Sequence, residues 1–219
     1  MDSFYDKYIA IENDYYGLLQ PGKPAHGNLK PQSLNNALDW LCEGASSVLD
    51  FGCGSGGLLF CCAFRGADVL YGIDLAKNGI KYANVCAAHF QNKKFCLIHG
   101  STEKLSDLPD RYFDSLILSN ILDNLRPADA RFALNECIRA LKPGGRALIK
   151  LNAYLSTEKI REWKVKVLDG DLLDDGMLLW NQSDDIWLRR LREHFVDVCQ
   201  EDVFYEEFDK HDRLFLCVK

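Results

Sequence analysis

The chain has 219 residues, 47% of them hydrophobic and 26% charged, with a formal net charge of −6. That balance suits a globular protein with one buried core and argues against broad attraction to nucleic-acid phosphates. The opening MDSFYDKYIA has no basic stretch followed by an apolar one, and no apolar run reaches the ~20 residues of a membrane span, so a soluble, cytoplasmic protein with no membrane or nucleic-acid partner is expected.

In chain order, residues 1–20 place Phe4, Tyr5, Tyr8, Ile9, Tyr15, Tyr16 and Leu18 at loose helical spacing. The prolines and glycines of LLQPGKPAHGNLKP predict a loop. PQSLNNALDWLCEG reads as a helix, with Pro31 in its first turn and Gly44 past its end. SSVLDFG then reads as a short buried strand and GGLLFCCAFRGA as a helix. DVLYGID (strand), AKNGIKYANVCAAHF (helix), FCLIHG and YFDSLILSN (strands), PADARFALNECIRALKPGG (helix) and RALIKLN (strand) follow. Continuous apolar strands alternating with amphipathic helices imply a doubly wound α/β fold, a mostly parallel sheet with helices on both faces.

In the tail, STEKIREWKVKVL and SDDIWLRRLREHF read as helices, the second with Ser183 as N-cap. VDVCQEDVFYEEF and RLFLCVK read as strands joined at DKHD, predicting an antiparallel C-terminal hairpin and about seven strands in all. LDGDLLDDGMLLWN between them receives no assignment. The nine cysteines are odd in number, contain no C-x-x-C and sit mostly in apolar patterns, which favours reduced core thiols over a metal site.

The chemistry concentrates at VLDFGCGSGG. Gly52, Gly54 and Gly57 satisfy G-x-G-x-x-G, Gly56 adds a further glycine, and Asp74 ends the next strand 22 positions after Gly52. An acid at that distance hydrogen-bonds a ribose in dinucleotide-binding folds, so an NAD-dependent oxidoreductase is one reading. Asp50 shifts the balance. A carboxylate two residues before the first glycine opposes a pyrophosphate and favours a cationic ligand. S-adenosylmethionine (SAM), with its sulfonium and amino group, is such a ligand; the other use of Asp50 is to hold backbone amides of the turn.

Over residues 45–152 the chain resembles the class I SAM-dependent methyltransferases. VLDFGCGSG is similar to their first motif, LYGIDLA to the second and HGSTEKL to the segment along the adenine. FDSLILSNILDNL and RALKPGGRALIKL are similar to the fourth and fifth. The resemblance implies that Asp50, Gly52, Gly54 and Gly56 cradle the methionine part, Asp74 binds the ribose and Leu75 lies against adenine. Ser101 stands where the family often has Asp, so Ser101 or backbone groups hold the adenine amino group, with Thr102 and Glu103 following. Ser119 and Asn120 would face the methyl, and Asn120 or Asn124 replaces a frequent His.

The expected organisation is a single methyltransferase domain over 1–219: an N-terminal lid segment (1–44), a cofactor-binding core (45–152) and C-terminal helices with the hairpin (153–219). Tyr8, Tyr15, Tyr16 and His26 are the candidate acceptor contacts. The rings of Tyr8, Tyr15 and Tyr16 either cover a ligand or pack the helix onto the domain, and a loop His such as His26 is more often solvated than catalytic. No catalytic base is assigned. The acidic balance, and the absence of D/N-P-P-Y/F at SNIL, leave nucleic-acid methylation little support, and the resemblance implies a small-molecule acceptor. A SAM-binding sensor or partner subunit without catalysis is the other reading, distinguished by the lack of an acceptor-sized cavity.

Overall fold

The computed structural model describes residues 3–219. Helix α1 (Asp6–Gly17) is followed by a long loop and α2 (Gln32–Cys42). The alternating part runs β1 (Ser47–Phe51), α3 (Gly57–Phe64), β2 (Val69–Asp74), α4 (Lys77–Ala87), β3 (Lys94–His99), β4 (Phe113–Ser119), α5 (Pro127–Ala140) and β5 (Leu141–Leu151). Then come α6 (Thr157–Glu162), β6 (Lys166–Asp169), β7 (Leu172–Asp174), β8 (Leu178–Trp180), α7 (Asp184–Arg192), β9 (Asp197–Tyr205) and β10 (Lys210–Val218).

Seven strands form one sheet in the order β3-β2-β1-β4-β5-β10-β9, with only β10 running against its neighbours. The period-2 alternation of side chains sorts this sheet into two cores. Leu49, Leu116, Leu118, Ala147, Ile149 and Phe215 face α5 and α7. Val48, Ile117, Leu148 and Leu214, one residue out of step, face α2 and α3. Strand order reverses between β1 and β4, both parallel to their partners, and that is where an open α/β sheet receives ligands at its carboxyl ends.

Three details depart from the sequence reading. The helix expected over STEKIREWKVKVL stops at Glu162, because Lys164 takes a left-handed conformation (φ 53°) and the chain turns into β6. The unassigned LDGDLLDDGMLLWN completes a separate three-stranded antiparallel sheet, β6-β7-β8. Helix α5 ends at Ala140, since Leu141 already pairs with Phe113 of β4 and Pro143–Gly144 lie within the irregular start of β5. Ser183 occupies the N-cap position of α7, without a side-chain cap bond. Seven of the nine cysteines are buried, with Cys96 half-buried and Cys199 exposed. No helix among the described residues is long and apolar enough to cross a membrane.

Trp187 of α7 is 1% exposed and meets Trp180 of β8 edge-on at 5.3 Å, with the Arg190 guanidinium within 5 Å of both rings. These rings fasten the small sheet to the main one. Its indole N–H has no hydrogen-bond partner among the described residues. Trp187→Ala is therefore expected to cost about 3–5 kcal/mol in urea denaturation. Trp187→Phe, which keeps a ring and deletes the unpaired N–H, should cost less than half as much.

Candidate active site

The glycine loop leaves β1 with Gly52 at φ 81° and Gly54 at φ 53°, a region that strains residues bearing a Cβ. A Cβ at Gly54 would collide with the Tyr16 hydroxyl, so the loop and α1 are in direct contact. Asp74 organises this turn. Its Oδ2 accepts the Gly54 N–H at 2.7 Å and its Oδ1 accepts the Ala76 N–H at 2.7 Å. One carboxylate thus ties the loop to the start of α4. Burial pushes Asp74 above the usual carboxylate range, against the backbone donors that favour its charged form.

Helix α1 lies across this turn and is fixed at both ends. The Tyr5 hydroxyl donates to Asp129 at 2.6 Å, and Lys7 pairs with Asp174 at 2.7 Å. Asn13 Oδ1 accepts the Asn78 N–H of α4 at 2.9 Å, while Asn78 Nδ2 donates to the Asn13 carbonyl at 3.0 Å.

Beneath α1 is a cavity of about 200 Å³. Gly52, Asp74, Leu75, Ser101, Ser119 and Asn120 line it from the strand ends, and Tyr8, Glu12 and Tyr16 from the helix. A second, wider cavity of about 970 Å³ adjoins it, lined by Tyr15, Lys150, Asn152, Tyr205, Phe208, Lys210 and Asp212 among others. Glu12, Asn120, Asn124 and Met177 border both.

Of the residues expected at the cofactor, Asp50, Gly54, Gly56, Thr102 and Glu103 do not line the first cavity. Asp50 lies inside β1, 1% exposed, and its Oδ1 has no partner among the described residues. Burial first, and the charge of Asp74 second, push it well above the carboxylate range. Glu103 turns back to accept the Ser101 N–H at 3.1 Å. Tyr15 borders the wider cavity only, and His26 is exposed outside both, its Nδ1 accepting the Asn28 N–H at 3.3 Å.

Glu12, Lys150 and Asn152, which join the expected Asn120 and Asn124, went unnoticed in the sequence. Glu12 stands one helical turn from both Tyr8 and Tyr16, so the i, i+4 ring stripe was the signal. Burial, then Asp74, push its carboxyl up to about 7. Asn120 adopts φ 53° where β4 ends, a conformation Asn tolerates better than most residues. Its N–H donates to the Lys150 carbonyl at 2.7 Å, and its side-chain oxygen accepts from Lys150 Nζ. Buried Asp123 accepts the Asn152 N–H at 2.7 Å, and Asn124 Nδ2 donates to the Leu178 carbonyl at 2.7 Å. These bonds hold the ends of β4, β5 and β8 around one opening.

The sheet order, the glycine turn after β1 and the acid closing β2 define the class I SAM-dependent methyltransferase fold. Residues 49–149 match the family described as methyltransferase domain. Ubiquinone biosynthesis O-methyltransferases of Alkalilimnicola ehrlichii and Idiomarina loihiensis are 31% and 36% identical over 65% and 64% of this chain. The chain spans little more than half of those relatives, the matches covering 56% of each. The structure of Burkholderia thailandensis 1,6-didemethyltoxoflavin-N1-methyltransferase, with 1,6-didemethyltoxoflavin and S-adenosylhomocysteine bound, aligns with a TM-score of 0.66 at 18% identity, covering 87% of this chain and 79% of that one. That neighbour holds S-adenosylhomocysteine, the demethylated form of SAM.

The residues present fit that cofactor. Each Asp74 oxygen accepts one backbone N–H, and a carboxylate has about four acceptor sites, so capacity remains for a pair of ribose hydroxyls. Asp74→Ala should weaken S-adenosylhomocysteine (SAH) binding at least about tenfold by calorimetry, because the Gly54 and Ala76 N–H groups also lose their buried acceptor. Thr102→Ala, outside the cavity, should leave the affinity within about twofold.

Proposed function

We propose that this protein transfers the methyl group of SAM to a small-molecule acceptor seated in the wider cavity. One observation carries the reading: the cavity beneath α1 shares a border of Glu12, Asn120, Asn124 and Met177 with a second, acceptor-sized cavity. A SAM sensor without catalysis has no need of that second space. The lining mixes rings (Tyr15, Tyr205, Phe208) with polar groups (Asn152, Lys150), as small-molecule sites do. The acidic net charge of −6 adds nothing for a nucleic-acid partner.

SAM supplies an already activated methyl, so the chain's task is placement and exclusion of water. In this reading residues 45–152 hold the cofactor through Asp74, Gly52, Leu75 and Ser101. The 1–44 segment covers it with Tyr8 and Tyr16. The 153–219 segment supplies the far acceptor wall, with Lys150 at its edge. Lys150 is 6% exposed and paired with Asp212 at 2.8 Å, a fixed polar floor for the acceptor.

The test is radiolabelled methyl transfer from SAM to a panel of phenols, catechols and heterocyclic amines, run beside bulk tRNA. Transfer to a small molecule is expected; transfer to tRNA alone would overturn the proposal. Phe208 is 72% exposed at the rim of the wider cavity and does not line the cofactor cavity. Phe208→Ala should raise the acceptor KM by about five- to thirtyfold, the worth of a partly buried ring, with SAH affinity unchanged.

A further inference from the structure

Four side chains separate the two cavities, and only one of them, Glu12, ionises. On the proposed function, in-line transfer aims the sulfur-bound methyl from the first cavity into the second, which brings the sulfonium to this boundary. Glu12 makes no hydrogen bond or ion pair among the described residues and is half-buried there. Its helix is pinned by Tyr5, Lys7 and Asn13, so the carboxylate is placed by a fixed element rather than by a free loop.

We propose that Glu12 senses the charge of the cofactor: its carboxylate pairs with the sulfonium of SAM and loses that partner when the methyl has left, so the closed α1 favours SAM over its demethylated product.

The charges around Glu12 support this. Asp74 of β2 acts on it from the first cavity with the same sign, and Tyr8 and Tyr16 flank it on α1. From the second cavity come Asp175, in the turn after β7, and the cluster of Lys150, Lys210 and Asp212. Both lysines are engaged by Asp212, at 2.8 and 3.0 Å, which leaves that cluster one positive charge in excess. The charge that acts on Glu12 in the empty site is that of Asp74. Burial and Asp74 together raise its carboxyl to about 7, whereas a cation beside it lowers it again.

The sign follows directly. Below about pH 7 the ligand-free Glu12 holds a proton, and a sulfonium must expel it to bind. Above that value the carboxylate is already charged and the sulfonium gains the full attraction. The uncharged thioether of SAH draws no such benefit. SAM preference therefore grows as pH rises through neutrality.

The experiment is calorimetric titration with SAM and with SAH across this range, on wild type, Glu12→Gln and Glu12→Asp. In wild type the SAM-to-SAH affinity ratio should rise roughly tenfold between about pH 6 and about pH 8, with proton release on SAM binding seen from paired buffers of different ionisation enthalpy. In Glu12→Gln the rise should vanish and the proton release should fall to that seen with SAH, while SAH affinity stays within about twofold, and Glu12→Asp should restore part of the rise. The cofactor's own amino group titrates in all three proteins, so the difference between them isolates this carboxylate. A flat ratio in wild type, or a rise that persists in Glu12→Gln, would overturn the inference; the latter would place the titration on Asp74. Wild type binding neither ligand would instead overturn the cofactor reading on which the inference rests.

Discussion

The carboxylate of Asp74 is the joint on which the site is built. By accepting the N–H groups of Gly54 and Ala76 it fixes the glycine loop against the first turn of α4. Close packing there depends on Gly79, where a Cβ would come within 2.9 Å of the Gly54 carbonyl oxygen. The next residue back, Asn78, then carries the placement on to α1 through its two bonds with Asn13. The loop, α4 and α1 are thus positioned in series from one side chain, and losing it would disturb all three.

That joint sits among carboxyl groups that burial keeps from ionising easily. Asp50, Asp74 and Glu12 all lie above their ordinary range, with burial as the first cause in each. A raised folded value means that the group's contribution favours the folded state below its unfolded value and turns against it as pH rises through the folded one. Each of these groups is therefore easier to protonate in the empty site, and a cationic ligand draws it back toward its charged form. The same physical argument that set Asp50 against a pyrophosphate applies to the assembled site, although Asp50 itself stays beneath the loop.

What could be read from the sequence was what is local. The apolar strands, the glycine turn and Asp74 lie within one strand–loop–helix–strand stretch, and the spacing alone places them. The wider cavity gathers Tyr15, Asn120, Lys150, Met177, Tyr205 and Asp212, which no periodicity links. The small sheet had a signal that was passed over. Asp169-Gly170 and Asp175-Gly176 are Asp-Gly pairs beside apolar residues, and both glycines take positive φ, 55° and 108°. The overlong helix had none. Nothing in the sequence marks Lys164 as left-handed, and only the pairing of β6 with β7 reveals why the helix must end.

The small sheet and the β9–β10 hairpin have a further bearing. Both follow β5 in the chain, and both border the wider cavity, whereas the cofactor cavity draws on them for Met177 alone. Insertions, deletions or repacking in these segments can redraw the wider cavity while the turn held by Asp74 stays intact. On the proposed function, chains of this build can differ in what they methylate and still share how they hold the methyl donor.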